Sequence, residues 1–199
     1  MIVIGLSGAQ GGGKTSMLNE LKRLNYRVDD FKVSRAVQAS LGWASLDRVM
    51  DAPETMQAFQ NEVLQQKFKN DFELARQGDG VIFVERTFAD ILAYSNLWTF
   101  KFAERGQLTK DEAVLFSAKY TASCLAAHEQ CYSGTMLLPL MEHVKFEVDP
   151  HRAKEEDAEY VFNEVQRFLT TLVQAPLLHI TAKSIAVRAM QAARFSATF

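Results

Sequence analysis

Residues 8–15 read Gly-Ala-Gln-Gly-Gly-Gly-Lys-Thr and satisfy G-x-x-x-x-G-K-[ST] in full. Gly8, Gly11, Gly12 and Gly13 let the backbone curl until successive N–H groups converge on phosphate oxygens. Lys14 would place a point charge on the β- and γ-phosphates of a nucleoside triphosphate. The Thr15 hydroxyl would ligate Mg²⁺, and Ser16 continues the helix N-terminus that completes the anion site. A second segment with chemistry is Glu85-Arg86-Thr87-Phe88-Ala89-Asp90, directly after an apolar run. A carboxylate at Glu85 lies beside the phosphate loop in a parallel sheet and reaches the metal, directly or through water. Arg86 brings a fork of donors suited to a transferring phosphoryl group.

A third segment, Asp29-Asp30, has Lys32 and Arg35 close behind it. A carboxylate here favours a hydroxyl acceptor, which must lose a proton as the P–O bond forms. Basic residues suit an acceptor that is already a phosphate. The segment holds both, so the residues leave the acceptor open. Neighbours on a strand point to opposite faces, so only one of the two carboxylates can serve. Asp30, nearer the turn, is the expected base, and Asp29 is its rival and a substrate contact.

These groups need a scaffold that brings strand ends together. Ile2–Leu6 and Val81–Val84 are continuous apolar runs, the pattern of strands buried on both faces. Short strands are also expected at 26–29, 135–140 and 177–180, with Pro139 ending the fourth early. Helical patterns fill the intervals, first with Met17, Leu18, Leu21 and Leu24 on one face, then over about 33–41, 51–77, 88–105, 110–129, 155–173 and to about 194. Asp51 and Pro53 look like the cap and first turn of the third of these. Strands alternating with helices predict an α/β P-loop NTPase fold, a parallel sheet with helices on both faces. The 199 residues predict one domain. Its helix-rich stretch of about 33–130 would hold the acceptor, and a short lid would span about 149–156.

Bulk properties narrow the partners. A net charge of −2 gives no electrostatic footprint for a polyanion, which argues against nucleic acid as the main partner. No run approaches the length of a membrane span. The N-terminus, without a basic region, reads as a core strand rather than a signal peptide. Cys124 and Cys131 fit neither a disulfide framework nor a zinc spacing, and the four histidines are scattered. Free thiols in a reducing cytoplasm, which for a phage-encoded chain is the host's, are the expectation. A homodimer is compatible with the sequence.

Glu85-Arg86-Thr87-x-x-Asp90, followed by Ala93-Tyr94-Ser95-Asn96-Leu97, resembles the E-R-S motif region of the deoxynucleoside kinases. Phe59-Gln60 with Lys67 seven residues on resembles that family's Phe-Gln pair and later basic residue. The resemblance implies that Gln60 and Asp90 contact the nucleobase. Lys67 stands where the family has an arginine. Seven residues make nearly two helical turns, so Gln60 and Lys67 share a face, roughly 10 Å apart. The C-terminal half is similar to the ribosylnicotinamide-kinase (NadR-like) type. There Leu138-Pro139, then Asp149-Pro150-His151-Arg152, precede a long amphipathic helix. That likeness implies that Arg152 is a lid arginine, with Lys154 as a helper.

The reading that follows is ATP- and Mg²⁺-dependent phosphoryl transfer to a hydroxyl of a nucleoside-type substrate. The alternatives are a nucleoside monophosphate kinase, a phage-type kinase acting on a hydroxymethylated base in DNA, and a non-kinase P-loop ATPase.

Overall fold

The computed structural model describes residues 1–140 and 157–199. Five parallel strands form one sheet in the order β2-β3-β1-β4-β5. They are β1 (Ile2–Ser7), β2 (Arg27–Asp29), β3 (Val81–Glu85), β4 (Gly134–Leu137) and β5 (Leu177–His179). The helices are α1 (Lys14–Arg23), α2 (Val33–Ser40), α3 (Pro53–Ala75), α4 (Phe88–Glu104), α5 (Lys110–Cys131), α6 (Ala158–Thr171) and α7 (Ile185–Ser196). A short 3₁₀ turn, Leu46–Met50, precedes α3 and has no counterpart in the sequence pattern.

The apolar runs alternate between two cores, as a strand period of two requires. Val3, Ile82 and Val84 face one core, closed by α3, α4, α5 and α6. Ile4, Leu6, Phe83 and Met136 face the other, closed by α1 and α7. Both faces of the sheet are therefore dry, which is why β1 and β3 are apolar throughout rather than alternating. No helix of the described residues is long and apolar enough to cross a membrane.

Helix starts follow local chemistry. Thr87 caps α4, its hydroxyl accepting from Ala89 N at 3.1 Å while Asp90 Oδ2 accepts from Thr87 N at 2.9 Å. Thr109 and Glu112 form the same reciprocal box at the start of α5. Pro53 opens α3 as expected, but the flanking residue is Ala52, which has no capping side chain. Asp51 instead accepts a hydrogen bond from Arg48 Nε at 2.7 Å. An ion pair to the preceding turn takes the carboxylate that the helix start would otherwise use.

Candidate active site

The phosphate loop, residues 8–13, leaves the C-terminal end of β1 and enters α1. Its shape rests on close backbone approach. A Cβ on Gly8, where φ is +137°, would stand 2.8 Å from Leu138 O. Gly13 flanks α1 at φ +85°, and no side chain caps the helix there. The first N–H groups of α1 are left for an anion.

Around the loop lies a cleft of about 330 Å³. One end is lined by Gly11, Gly12, Gly13, Lys14, Thr15 and Ser16. The other end is walled by Val63, Ile91, Tyr94 and Trp98, with Leu46 and Gln60. Glu85, Arg86 and Asp90 lie on the cleft as well, and Lys32, Ser34 and Arg35 enter from the β2–α2 side.

Lys14 is buried and donates to Gly8 O and to Ala9 O, the latter at 2.8 Å. Burial pulls its ammonium down to about 8, and Asp90, 3.9 Å away, pulls it part of the way back. Thr15 Oγ1 donates towards both Glu85 oxygens, at 3.1 and 3.3 Å. Lys32 Nζ pairs with the same carboxylate. Burial opposes the charge of Glu85, but the hydrogen bond and charge of Lys32, with Arg86 and Lys14, hold its carboxyl below the usual range.

Arg86 adopts φ +62°, left-handed backbone that a non-glycine residue enters at a cost. Its guanidinium lies over the Tyr94 ring, 5.3 Å from the centroid. Strain at the end of a central strand, beside the phosphate loop, is the kind found where a side chain must be aimed.

Among the described residues, no cluster of three or more His, Cys, Asp or Glu side chains is arranged to hold a metal. The adjacent Thr15 hydroxyl and Glu85 carboxylate nevertheless fit Mg²⁺. That ion is commonly held by one or two protein oxygens, with nucleotide phosphates and water completing its octahedron.

Three expected site residues sit elsewhere than the sequence suggests. Asp30 does not reach the cleft. Its side chain is 54% exposed and lies 3.7 Å from Lys22 Nζ. Asp29 accepts from Asn70 Nδ2 at 2.9 Å, on the α3 side. Because β2 is a three-residue edge strand, the chain turns into α2 with Lys32, not a carboxylate, at the cleft. Lys67 is also withdrawn. It is wholly buried, paired with Asp71 Oδ2 at 2.9 Å, and donates to Glu85 O at 3.2 Å.

Asp90 lines the cleft, but its oxygens are engaged by Thr87 N and, at 3.3 Å, Gly8 N. Its position ties α4 to the phosphate loop. Gln60 lines the slot, its backbone carbonyl held by Tyr120 OH at 2.7 Å. Arg152 and Lys154 lie outside the described residues, as does the whole of the expected lid, about 149–156. Sequence reasoning missed Trp98, which the helical spacing from Asp90 and Tyr94 could have revealed, and Arg188, for which no local signal exists.

A family model described as the AAA domain matches residues 3–188. The chain belongs to the AAA domain family. Among solved structures, a deoxyadenosine kinase from M. mycoides, with the products dCMP and a flexible dCDP bound, matches with a TM-score of 0.67. The match covers 100% of both chains at 13% sequence identity, and so establishes likeness of fold: an α/β domain of P-loop kinase architecture. No curated protein sequence matches the chain.

Proposed function

We propose that this AAA-domain chain transfers the γ-phosphoryl group of ATP to a hydroxyl of a nucleoside-type acceptor. The observation that carries the reading is a single cleft with two unlike ends. The phosphate loop forms one end, and a slot walled by Tyr94 and Trp98 forms the other. Tyr94 and Trp98 offer π-faces to a planar ring, and Gln60 supplies both a donor and an acceptor for its edge. The deoxyadenosine kinase of the same fold lends the reading further support.

In this reading the loop amides and Lys14 hold the β- and γ-phosphates, and Arg86 meets the charge that develops on the transferring group. Bound Mg²⁺, held at Thr15 and Glu85, would neutralise phosphate charge. By the resemblance of its segment to the ribosylnicotinamide-kinase type, Arg152 would serve as the lid arginine. With Asp30 outside the cleft and the Glu85 carboxylate paired with Lys32, which lowers its affinity for a proton, base help is small. A loose transition state asks for little of it.

The test is ADP formation from ATP across a panel of nucleosides, monophosphates and hydroxymethylated oligonucleotides. Formation that depends on an acceptor is expected. An equal rate without any acceptor overturns the kinase reading in favour of an ATPase. Gln60→Ala should narrow the preference among bases by roughly 5- to 150-fold, the worth of one buried hydrogen-bond partner, with the KM for ATP little changed. An altered KM for ATP with base preference intact would place Gln60 in the wrong subsite.

One observation favours a second reading, a nucleoside monophosphate acceptor. The β2–α2 side of the cleft carries Lys32 and Arg35, while Asp29 and Asp30 bond away from it. Asp30→Asn is expected to change kcat less than about 2-fold, against the roughly 10²–10⁴-fold of a true general base. Under the monophosphate reading, Arg35→Ala raises the acceptor KM for monophosphates and spares nucleosides. Matched kinetics on both substrate classes separate the two. A severe loss in Asp30→Asn would restore it as the base.

A further inference from the structure

Arg188 projects from α7 into the back of the phosphate loop, and it is among the largest fully buried side chains of the molecule. Its Nη1 donates to Gly12 O at 2.7 Å, and its Nε donates to Ala182 O at 2.7 Å. A Cβ on Gly13 would stand 3.0 Å from Nη1, so the guanidinium lies close against the loop. One planar group thus bonds two loops, the phosphate loop and the turn between β5 and α7.

The partner it holds is one that the sequence leaves loose. Gly11, Gly12 and Gly13 are consecutive glycines, and a peptide unit between glycines has little steric reason to prefer one orientation. A flipped Gly12–Gly13 peptide would aim a carbonyl oxygen, rather than an N–H, at an incoming phosphate. In a trans peptide the C=O and the N–H point in opposite directions, and no described peptide is cis. Fixing the Gly12 carbonyl on the rear therefore turns the Gly13 N–H towards the cleft that Gly12, Gly13 and Lys14 line.

We propose that Arg188 is a positioning residue for phosphate binding, one that locks the Gly12–Gly13 peptide in its anion-binding orientation and sets a positive charge behind the loop. The proposal rests on the reading that the loop binds nucleotide phosphate.

Arg188→Met and Arg188→Lys in the full chain test it, with ATP as the probe in calorimetric titrations and with unliganded melting recorded beside them. The Met variant should bind ATP about 10-fold more weakly or worse, the scale of a charged hydrogen bond. The Lys variant, which keeps the charge but reaches fewer carbonyls, should fall between. In turnover, the KM for ATP rises while the acceptor KM holds. Variants that melt earlier yet bind ATP within 2-fold of wild type would reduce Arg188 to a purely structural contact and overturn the proposal. Should the Met variant not fold, wild-type affinity in the Lys variant overturns it alone. A wild-type chain that takes up no ATP would refute the nucleotide reading itself, and this inference with it.

Discussion

Replacing Lys14 with Ala should lower acceptor-dependent ADP formation by about 100-fold or more, the usual scale for removing a preorganised charge from a transition state. The melting temperature should hold, because among the described residues the hydrogen bonds of Lys14 go to carbonyls of its own loop, Asp90 stands off at 3.9 Å, and the buried charge carries a desolvation cost. A second signature follows from that cost. With its ammonium pulled down to about 8, Lys14 is about half neutral near pH 8 in the nucleotide-free chain. Phosphate beside it restores the charge, so ATP binding at pH 8 should take up a fraction of a proton, and at pH 6 almost none.

Titrations in two buffers of different ionisation heat measure that uptake, which Lys14→Met should abolish. The linkage to folding has the matching sign. The folded-state value lies below that of the unfolded chain, so the burial penalty is fully present below about 8 and is relieved as pH rises from there towards 10.5. Undiminished turnover in Lys14→Ala would mean that the phosphate loop is not the reacting site.

Asp71→Ala should cost about 3–5 kcal/mol of stability, the range for breaking a buried ion pair from one side. For a domain of this size that lowers Tm by roughly 6–20 °C. Asp71 lies wholly buried on α3, one turn from Lys67, and binds on every side. Its Oδ1 accepts from Asn70 at 3.0 Å, and its Oδ2 takes both Lys67 and the Tyr132 hydroxyl. Burial, with Asp71 alongside, keeps that phenol protonated far above the ordinary tyrosine range.

Removing the carboxylate leaves an ammonium in a dry core. The double replacement Lys67→Met with Asp71→Leu removes both charges and should recover most of the loss. A double variant as unstable as the sum of the singles would show that the pair is not coupled. The network also reaches the cleft, since Lys67 holds the Glu85 carbonyl. Asp71→Ala should therefore lower turnover even where the chain remains folded.

The sequence by itself determined whatever contiguous residues settle among themselves. The eight residues from Gly8 to Thr15 carry their own turn chemistry. The runs Ile2–Leu6 and Val81–Val84 announce strands dry on both faces. Thr87 and Asp90 form their helix cap within four residues. Pro53 fixes its own φ for a first turn.

The tertiary structure decided which side chains meet. Whether Asp30 or Lys32 enters the cleft depends on where an edge strand of three residues releases the chain, and strand alternation alone cannot say. Lys67 and Gln60 share a helix face, yet only Gln60 lines the slot. Lys67 is sealed by Tyr132 across Asp71 and by the carbonyl of Glu85. The resemblance implies that Asp90 contacts a base, but Gly8, 82 residues away, donates to one of its oxygens. Arg188 bonds the phosphate loop across 176 residues. Outside the glycine run of the phosphate loop, backbone conformation is chosen largely by neighbours in the chain. A buried charge is placed by whichever distant group can satisfy it, because leaving it unsatisfied costs more than the local preference is worth.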